Sequence, residues 1–414
     1  MSAPAPATTS LLLDVGVPFR VIDSRVYLES QAHHGVRCWL DNFDRLTLCA
    51  AVIPDHYLDK SMGWTSADDL LREGRFTPVL LPCAYDAPSH FRHVAGVRRK
   101  MRALIPGHSH LCFSNHGWLG AWGRIGAEEA QRLGRPYAVW LDWALHDMPI
   151  RPTTNPVKRL WRRVQSSANR RHVFRAVQRA SLGLFNGRTV YDAYSSSCRV
   201  PRVAYDIHLA ADQIIAGSQL QDRLLRSSGP LKIIYVGRVH DMKGPKLWVE
   251  ALEQAFRQLG PDQKVEASWI GDGPLLTEMR SEVEARGLGN RIRFEGPEMD
   301  RARLLARMRD ADLFVFCHVT PESPRCLIEA LMSGLPIVGF DSAYARDLLG
   351  DHGQGGDLVP VRDSPALAAA VVRCLSEPVR RRGMSEAARA AGGRFSDASV
   401  FKHRSDLIKQ YVTS

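Results

Sequence analysis

The chain has 414 residues, of which 45% are hydrophobic and 24% charged, and its formal net charge is +11. This length predicts two large domains or three small ones of ordinary globular composition. The eight cysteines are scattered singly, with no C-x-x-C pair, which argues against a disulfide framework and against a zinc site. No stretch approaches the ~20 apolar residues that a membrane-spanning helix needs, so we expect a cytoplasmic protein with buried thiols.

The N-terminal half begins without a structural signal. Met1–Ser10 is rich in Ala, Pro, Ser and Thr, and we expect it to be unstructured. The apolar Leu11–Leu13 is too short for the core of a signal peptide. Short apolar runs then alternate with helical patterns. They predict strands at Arg25–Leu28, Leu46–Val52, Pro78–Leu81, His110–Phe113, Tyr137–Leu141, Leu182–Phe185 and Val203–Tyr205.

Much of the positive charge lies in one segment of this half. Between Met148 and Tyr191 there is no acidic residue, and ten residues are basic. Apolar residues recur with helical spacing from Val157 to Ala168, which predicts an amphipathic helix. Its other face carries Lys158, Arg159, Arg162 and Arg163.

Two interpretations of this basic helix stay open. In one, it is a solvated helix that packs on its own domain. In the other, it binds an anionic membrane surface, with Trp161 at the headgroup boundary. Nucleic-acid binding is disfavoured, because aromatic residues are not interleaved with the basic ones as stacking platforms.

The C-terminal half alternates strands and helices more clearly. Most strands are continuously apolar, which predicts a parallel sheet with helices on both faces. We place the domain boundary near residue 215, giving domains at 1–215 and 216–396 and a last helix at 397–414 that can pack back on the first domain. The predicted strands are Lys232–Val236, Ala267–Ile270, Arg291–Phe294, Leu313–Phe316, Ile337–Phe340 and Leu358–Val359.

Ligands of open α/β sheets bind at the carboxyl ends of the strands. Gly237 and Arg238 follow the first strand of this half, and Lys243 lies five residues further on. Arginine grips a diphosphate in a bidentate way and lysine acts as a point charge, so the pair suits a diphosphate ligand. A surface loop with two solvated cations is the alternative.

A loop and a helix follow the fourth strand of this half. Glu322 lies in the loop, in reach of a transferred group, and Glu329 lies in the helix, where it suits ribose hydroxyls. The alternatives are an acid at a helix start and a solvated helix face. Amides at the helix start form an anion site, which the helix dipole strengthens. The residues concerned are Ser323, Arg325, Cys326 and Leu327.

Over about Leu231–Leu375 the chain resembles glycosyltransferase family 4, a retaining family with the GT-B fold. Each motif is weak alone, but their joint order and spacing follow the family. They are G-R with K-G downstream (Gly237, Arg238, Lys243, Gly244), G-x-G-P (Gly271, Gly273, Pro274), R-F-x-G (Arg293, Phe294, Gly296), A-D-L-F-V (Ala311 to Val315) and E-A-L-x-S-G-x-P-I-V (Glu329 to Val338).

The resemblance implies two Rossmann-like α/β domains facing across a cleft, with the donor on the C-terminal domain and the acceptor on the N-terminal one. It implies that Arg238 and Lys243 hold a donor diphosphate, that Glu329 binds ribose, and that Glu322 lies near the donor sugar. One departure is that the segment between the two glutamates is one residue shorter than usual. Pro324 also removes an amide that the family's Gly-rich stretch would supply.

The N-terminal half resembles the family only faintly. Gly35, after His34, corresponds to a glycine loop following the first strand, on the acceptor side. His116 resembles the family's strand-end histidine, and Asp142 ends a strand where many members carry a histidine facing the sugar. The alternative for each is a structural residue with satisfied hydrogen bonds.

One D-x-D pair calls for a different interpretation. Such pairs hold a metal in the other large glycosyltransferase fold, where they follow a strand. Asp310 and Asp312 precede a predicted strand instead, which indicates a helix end and a turn. We therefore expect no cofactor and no essential metal.

The sequence thus predicts a hexosyltransferase-type enzyme that moves a sugar, with retention, from a nucleotide diphosphate sugar to a saccharide or lipid-linked acceptor. The setting is polysaccharide or glycolipid synthesis, in the cytoplasm or on the inner face of the membrane. Two other classes stay open: a GT-B nucleotide-sugar epimerase, and a non-catalytic membrane partner that binds nucleotide sugar.

Overall fold

The computed structural model describes residues 8–55, 63–114, 119–120, 122–143, 154–226, 229–350 and 353–413. The chain divides into two compact units. Unit 1 comprises Met1–His208 together with Asp397–Ser414, and unit 2 comprises Leu209–Ser396. The division therefore falls a few residues before residue 215.

Unit 1 is built on a seven-stranded parallel sheet with the order β10-β9-β8-β7-β1-β4-β6. Strands β2, β3 and β5 form a separate three-stranded antiparallel sheet. The strands are β1 (Ser10–Asp14), β2 (Phe19–Ile22), β3 (Arg25–Glu29), β4 (Arg45–Ala51), β5 (Trp64–Ser66), β6 (Phe76–Leu81), β7 (His110–Ser114), β8 (Ala138–Leu141), β9 (Leu182–Asn186) and β10 (Pro201–Ala204).

One expectation for this unit is wrong. Leu11–Leu13, which we assigned no strand, is buried in β1 and pairs with both β4 and β7 inside the main sheet. Three apolar residues suffice because a central parallel strand is covered on both faces. The predicted strand at Arg25–Leu28 exists, but it belongs to the small antiparallel sheet.

The helices of unit 1 connect successive strands of the main sheet. The basic helix begins at Pro156, which has no amide hydrogen to lose, and Asn155 caps it by accepting from the Lys158 amide. The helices are α1 (Ser30–Leu40), α2 (Asp68–Arg72), α3 (Ala87–Leu104), α4 (Trp122–Arg132), α5 (Pro156–Arg179) and α6 (Gly187–Tyr194).

Unit 2 is a six-stranded parallel sheet with the order β13-β12-β11-β14-β15-β16. Its strands are β11 (Leu231–Val236), β12 (Val265–Ile270), β13 (Ile292–Gly296), β14 (Leu313–Phe316), β15 (Ile337–Phe340) and β16 (Gly356–Val359). Its helices are α7 (Gly217–Leu225), α8 (Pro245–Leu259), α9 (Leu276–Ala285), α10 (Arg301–Asp310), α11 (Arg325–Met332), α12 (Ala343–Leu349), α13 (Ser364–Ser376) and α14 (Pro378–Gly392). All six predicted strands are present, with ends shifted by one or two residues. The predicted class of two Rossmann-like α/β domains is confirmed.

An aromatic cluster supports the centre of the unit 2 sheet. Trp248 of α8 packs edge-on against Trp269 of β12, and Trp269 stacks on Phe294. Tyr235 of β11 lies against Trp269 as well. Trp248 also donates through Nε1 to the Val315 carbonyl over 2.9 Å, so its buried N–H group has a hydrogen-bond partner.

The last helix of the chain, α15 (Asp397–Tyr411), belongs to unit 1, where it packs on α1 and beside β7, β9 and β10. Its Arg404 is fully buried beneath the aromatic rings of Phe401, Trp140 and Trp39, 4.1, 4.6 and 5.2 Å from their centroids. Asp206 lies 3.7 Å from its guanidinium. Cation–π contact and this carboxylate offset part of the cost of burying the charge, since the guanidinium nitrogens have no hydrogen-bond partner among the described residues.

Asp14, at the carboxyl end of β1, is a second buried charge-bearing group in unit 1. Ser114 Oγ donates to its carboxylate over 3.0 Å. Burial nevertheless raises its pKa from 3.8 to about 8, because desolvation outweighs the hydrogen bonds from Ser114 and from the Gly123 amide. Asp14 is therefore mostly protonated at neutral pH.

Among the described residues, no helix combines the length and the hydrophobicity that crossing a bilayer requires.

Replacing Arg404 with Ala tests the anchoring of α15. We expect a loss of about 2–4 kcal/mol in the free energy of unfolding, because a large buried side chain and its ring contacts disappear together. The control is Lys402→Ala on the same helix, where an exposed ion pair with Asp406 is worth less than about 0.5 kcal/mol. Urea unfolding and hydrogen exchange over 397–411 measure both. Equal effects of the two changes would contradict the anchoring role.

The Asp14→Asn variant tests the raised pKa. A carboxyl whose folded pKa exceeds its unfolded value stabilises the fold below pH 3.8, and this contribution is lost as the pH rises to about 8. The stability of the parent relative to Asp14→Asn should therefore fall from pH 4 to pH 8. Asp44→Asn is the control. Hydrogen bonds from Thr9 lower the pKa of Asp44, so its contribution to stability stays nearly constant between pH 4 and pH 8. A flat profile for Asp14→Asn would show that Asp14 is ionised in the fold.

Candidate functional site

The loops after β11, β12 and β14 meet at the carboxyl edge of the unit 2 sheet, since these strands are parallel neighbours. Gly237 and Arg238 begin the first of these loops. Gly271 and Gly273 let the second loop pack directly on it, because a Cβ at either position would lie 2.1 Å from the Gly237 oxygen or 2.4 Å from the Val239 oxygen. The glycines of the G-x-G-P motif thus serve close backbone packing.

Lys243 is positioned by a short turn. A 3₁₀ turn at Asp241–Lys243 ends at Gly244, whose φ of 63° is left-handed and which precedes α8. A Cβ on Gly244 would lie 2.3 Å from the Cys317 oxygen. The Val319 amide donates to the Met242 oxygen over 3.0 Å. The turn after β11 is therefore fixed against the chain that leaves β14, and only glycine fits at the contact.

The Lys243 side chain forms an ion pair with Glu322. Its Nζ donates to Glu322 Oε2 over 2.6 Å, and both side chains are largely buried. The other Glu322 oxygen, Oε1, is buried without a hydrogen-bond partner among the described residues, and so is Thr320 Oγ1. A buried acceptor and a buried hydroxyl beside a lysine leave hydrogen-bonding capacity for a polar ligand.

His318 lies beneath this pair. It shares a hydrogen bond of 2.7 Å with the Tyr235 hydroxyl through Nε2, and its Nδ1 lies 3.7 Å from Glu322 Oε1. Burial and the charge of Lys243 hold the pKa of His318 well below its usual range. The imidazole is therefore neutral, and Lys243 carries the positive charge beside Glu322.

The start of α11 follows in the same loop. Pro324 is its N-cap residue and makes no side-chain cap hydrogen bond to the first amides of the helix. Ser323 and Arg325 lie at this start, while Cys326 and Leu327 begin the buried side of the helix. Burial raises the pKa of the Cys326 thiol to about 12, which makes it an inert thiol.

Glu329, one turn into α11, is buried and paired. Arg301, the first residue of α10, donates to its Oε1 over 2.6 Å. The carboxylate is thus fixed in orientation, with Oε2 not engaged by that bond. Arg238 is exposed and forms no ion pair with the described residues.

The two aspartates of the D-x-D pair form ion pairs and hydrogen bonds with neighbouring residues of unit 2. Asp310 ends α10 and contacts Lys232 and Arg226, while Asp312 accepts from the Lys232 amide over 2.8 Å. The predicted helix end and turn are present.

The residues predicted for the N-terminal half have three different outcomes. His116 lies outside the described residues. Asp142 follows β8, as predicted, at the carboxyl edge of the unit 1 sheet. The placement of Gly35 in a glycine loop is wrong: Gly35 and His34 lie inside α1, which Glu29 caps directly after β3. Gly35 is buried, and a Cβ there would lie 3.1 Å from His208 and 3.4 Å from Phe401, so the glycine permits close packing.

The buried residues of the basic helix α5 lie in its second half: Val173, Ala176 and Val177. In its first half the apolar residues Val157, Leu160, Trp161 and Val164 are 74%, 64%, 46% and 48% exposed. Lys158, Arg159 and Arg163 are exposed beside them, and Arg162 is half-buried.

Sequence reasoning missed three residues around the unit 2 site: Tyr235, His318 and Arg301. His318 carried a usable signal, since it comes two residues after a buried strand, at the edge where ligands bind. Asp14 of unit 1 was also missed, because the strand that carries it, β1, was not predicted. Arg301 left no such signal, because its partner lies in another helix.

Residues 230–377 match the family model described as "Glycosyl transferases group 1". The phosphatidyl-myo-inositol mannosyltransferase of Mycobacterium leprae is 33% identical over 183 residues, 44% of this chain and 46% of that protein. The alpha-D-kanosaminyltransferase of Streptomyces kanamyceticus is 30% identical over 191 residues, 45% of this chain and 48% of that protein. The chain spans about half the length of these two relatives, or slightly less.

Solved structures match over almost the whole chain. Anabaena Alr3699/HepE in complex with UDP aligns with a TM-score of 0.65 at 20% identity, covering 96% of this chain and 98% of that one. Sucrose-phosphate synthase from Thermosynechococcus elongatus aligns with a TM-score of 0.66 at 14% identity, covering 97% and 98%. These likenesses confirm the predicted GT-B class of fold. Over residues 230–377, the chain is similar to the glycosyl transferases group 1 family.

Proposed function

We propose that the protein transfers a sugar from a nucleotide diphosphate sugar, held by unit 2, to a saccharide or lipid-linked acceptor. The observation that carries the proposal is the buried Lys243–Glu322 pair at the edge of the unit 2 sheet. Glu322 Oε1 and Thr320 Oγ1 have no described partner beside it, and the start of α11 is uncapped. Cation, acceptor, hydroxyl and helix amides suit a sugar diphosphate.

The chemistry follows from where charge develops. As the bond between the anomeric carbon and the phosphate oxygen breaks, negative charge grows on the leaving diphosphate. Lys243, Arg238 and the first amides of α11 stabilise it from fixed positions, which lowers the barrier more than flexible groups would. Lys243 has three N–H donors, so one can stay on Glu322 while others turn to phosphate oxygens.

The two glutamates hold the neutral parts of the donor. Glu322 Oε1 accepts from a sugar hydroxyl, and Glu329 accepts from ribose through the oxygen that Arg301 does not bind. Arg301 neutralises Glu329, so this carboxylate does not repel the diphosphate. We propose retention of anomeric configuration, with the acceptor hydroxyl attacking on the side of the leaving group, and no metal cofactor for this step.

Several features support the acceptor side of the proposal. One relative is named as a mannosyltransferase of phosphatidyl-myo-inositol, a lipid, and another as a kanosaminyltransferase. Asp142 lies at the carboxyl edge of the unit 1 sheet, where acceptors are expected, and His116 follows the neighbouring strand in sequence. We assign the acceptor hydroxyl to this edge.

The first half of α5 supports peripheral binding to an anionic membrane surface. Four exposed apolar residues and a cluster of cations, with no acidic residue in the helix, match the composition of interfacial helices. Exposing this apolar surface to water is unfavourable, whereas a headgroup boundary accepts both faces. Such docking brings a lipid-linked acceptor to the enzyme.

Replacing Lys243 with Ala should weaken binding of the donor diphosphate by about 1.5–3 kcal/mol, the range for a hydrogen bond to a charged group. Arg238→Ala should act in the same direction. The matched control is Lys246→Ala, an exposed lysine in the first turn of α8 that pairs with Glu278. Calorimetric titration with UDP, or with the diphosphate that a thermal-shift screen selects, measures the loss. Unchanged affinity in both site variants would remove the site assignment.

Product analysis on the parent protein separates the candidate functions. Release of nucleoside diphosphate that requires an acceptor supports transfer, while an altered sugar formed from donor alone supports an epimerase. Tight donor binding without turnover supports a non-catalytic partner. The configuration of the transferred sugar, read by NMR, tests retention.

Neutralising Lys158, Arg159, Arg162 and Arg163 to Gln should lower binding to anionic liposomes roughly tenfold or more and leave diphosphate affinity unchanged. The control removes four cations elsewhere on the surface: Lys246, Arg257, Arg382 and Lys402. Co-sedimentation with vesicles of phosphatidylcholine and an anionic phospholipid measures both. If the parent protein does not bind such vesicles, or if the two variants lose binding equally, α5 is not a docking helix.

A further inference from the structure

Three potential metal ligands meet in unit 1. His34 and Cys38 are four residues apart in α1, so their side chains lie one turn apart on the same face of the helix. His34 Nε2 and Cys38 Sγ are 3.5 Å apart. Asp397, the first residue of α15, places its Oδ2 2.7 Å from the same nitrogen. All three ligand atoms lie within 4.8 Å of one another.

This spacing is close to that of a tetrahedral metal site. Zinc binds nitrogen, oxygen and sulfur at ~2.0–2.3 Å, which puts the ligand atoms roughly 3.3–3.8 Å from one another. The separation of His34 and Cys38 already falls in this range. The distance between His34 Nε2 and Asp397 Oδ2 has to increase by roughly half an ångström. Their hydrogen bond is then replaced by one bond from each atom to the ion. The ligand atoms of Cys38 and Asp397 lie within 4.8 Å of each other, so this separation has to close by at most roughly 1 Å.

The surroundings suit an ion that enters from solvent. Cys38 and Asp397 are buried, whereas 42% of the His34 side chain is exposed. The exposed side leaves one coordination position to water. Asp397 Oδ1 accepts a hydrogen bond from the Ala398 amide, which orients the carboxylate towards the cluster.

The local charges also favour a cation. The carboxylates of Asp397 and Asp41 both lie near enough to Cys38 to act on it electrostatically. A dication between Cys38 and Asp397 is attracted by these carboxylates and stabilises the thiolate form of its cysteine ligand. Arg404 lies nearby, but Asp206 offsets its charge at 3.7 Å.

The geometry points to a zinc-class divalent metal site formed by His34, Cys38 and Asp397, with water as the fourth ligand. A ligand set of one nitrogen, one sulfur and one oxygen suits Zn²⁺, whereas Mg²⁺ and Ca²⁺ prefer oxygen alone. The ion ties α15, which returns to unit 1 at the end of the chain, to α1. The proposal differs from the sequence-based expectation of no zinc, which rested on the lack of a C-x-x-C pair. The third ligand, Asp397, comes from a distant part of the sequence.

Titration of the metal-free, tag-free full chain with Co²⁺ tests the site. Co²⁺ replaces Zn²⁺ in tetrahedral sites and gives intense visible bands there, and a bound thiolate adds a charge-transfer band in the near ultraviolet. We expect both signals to saturate at one equivalent and to disappear when Zn²⁺ is added. Zn²⁺ should also raise the Tm progressively above its Kd, because it binds only the folded state.

The variants assign the ligands. Cys38→Ser should abolish the charge-transfer band, whereas Cys198→Ser, at a partly buried cysteine of the same unit, should keep it. His34→Gln, at the exposed ligand, should weaken Co²⁺ binding at least tenfold without loss of fold, as judged by circular dichroism. The proposal is overturned if the parent protein shows no thiolate band, or if the band and the affinity survive both Cys38→Ser and His34→Gln.

Discussion

The ion pair between Lys243 and Glu322 is the constraint around which the unit 2 site is built. Two largely buried charges 2.6 Å apart attract each other strongly, but taking both out of water costs about as much as the attraction returns. Such a pair adds little to the free energy of unfolding. Its role is to hold the side chains of Lys243 and Glu322 in fixed positions. The Gly244–Cys317 contact and the hydrogen bond from Val319 to Met242 fix the two segments that carry it. A methyl group on Gly244 would separate them.

The neighbouring groups keep the charge balance of this site simple. His318 stays neutral because burial and Lys243 lower its pKa, so it positions Tyr235 and Glu322 without adding charge. Arg301 cancels the charge of Glu329. What remains for a diphosphate is Arg238, which is solvated, the spare N–H groups of Lys243 and the amides that begin α11. With Lys243 paired to Glu322, Arg238 is the uncompensated cation among these residues, and an anionic ligand compensates its charge.

A structural feature could be predicted from the sequence when the pattern that indicates it lies within one short segment of the chain. The strands of unit 2 were recognisable because buried parallel strands are continuously apolar. The pairing of Lys243 with Glu322 was not predicted, because it depends on β14 lying beside β11. The strand at Leu11–Leu13 escaped because three apolar residues become a strand only between two partners. Gly35 was misplaced because a glycine inside a helix and one in a loop look alike until His208 packs on it. The pairing of Arg301 with Glu329 joins two helices that no sequence periodicity relates.

The unequal strength of these signals in the two units has a chemical cause. The family match ends within unit 2, over residues 230–377. A diphosphate and a ribose present the same charges and hydroxyls whichever sugar they carry, so the residues that bind them keep their types and spacing. Acceptors share no such group. Outside the family match, unit 1 carries a small antiparallel sheet of β2, β3 and β5, the basic helix α5, and the cluster of His34, Cys38 and Asp397. Under the proposed transferase function, we expect acceptor specificity to reside in unit 1, outside the family match.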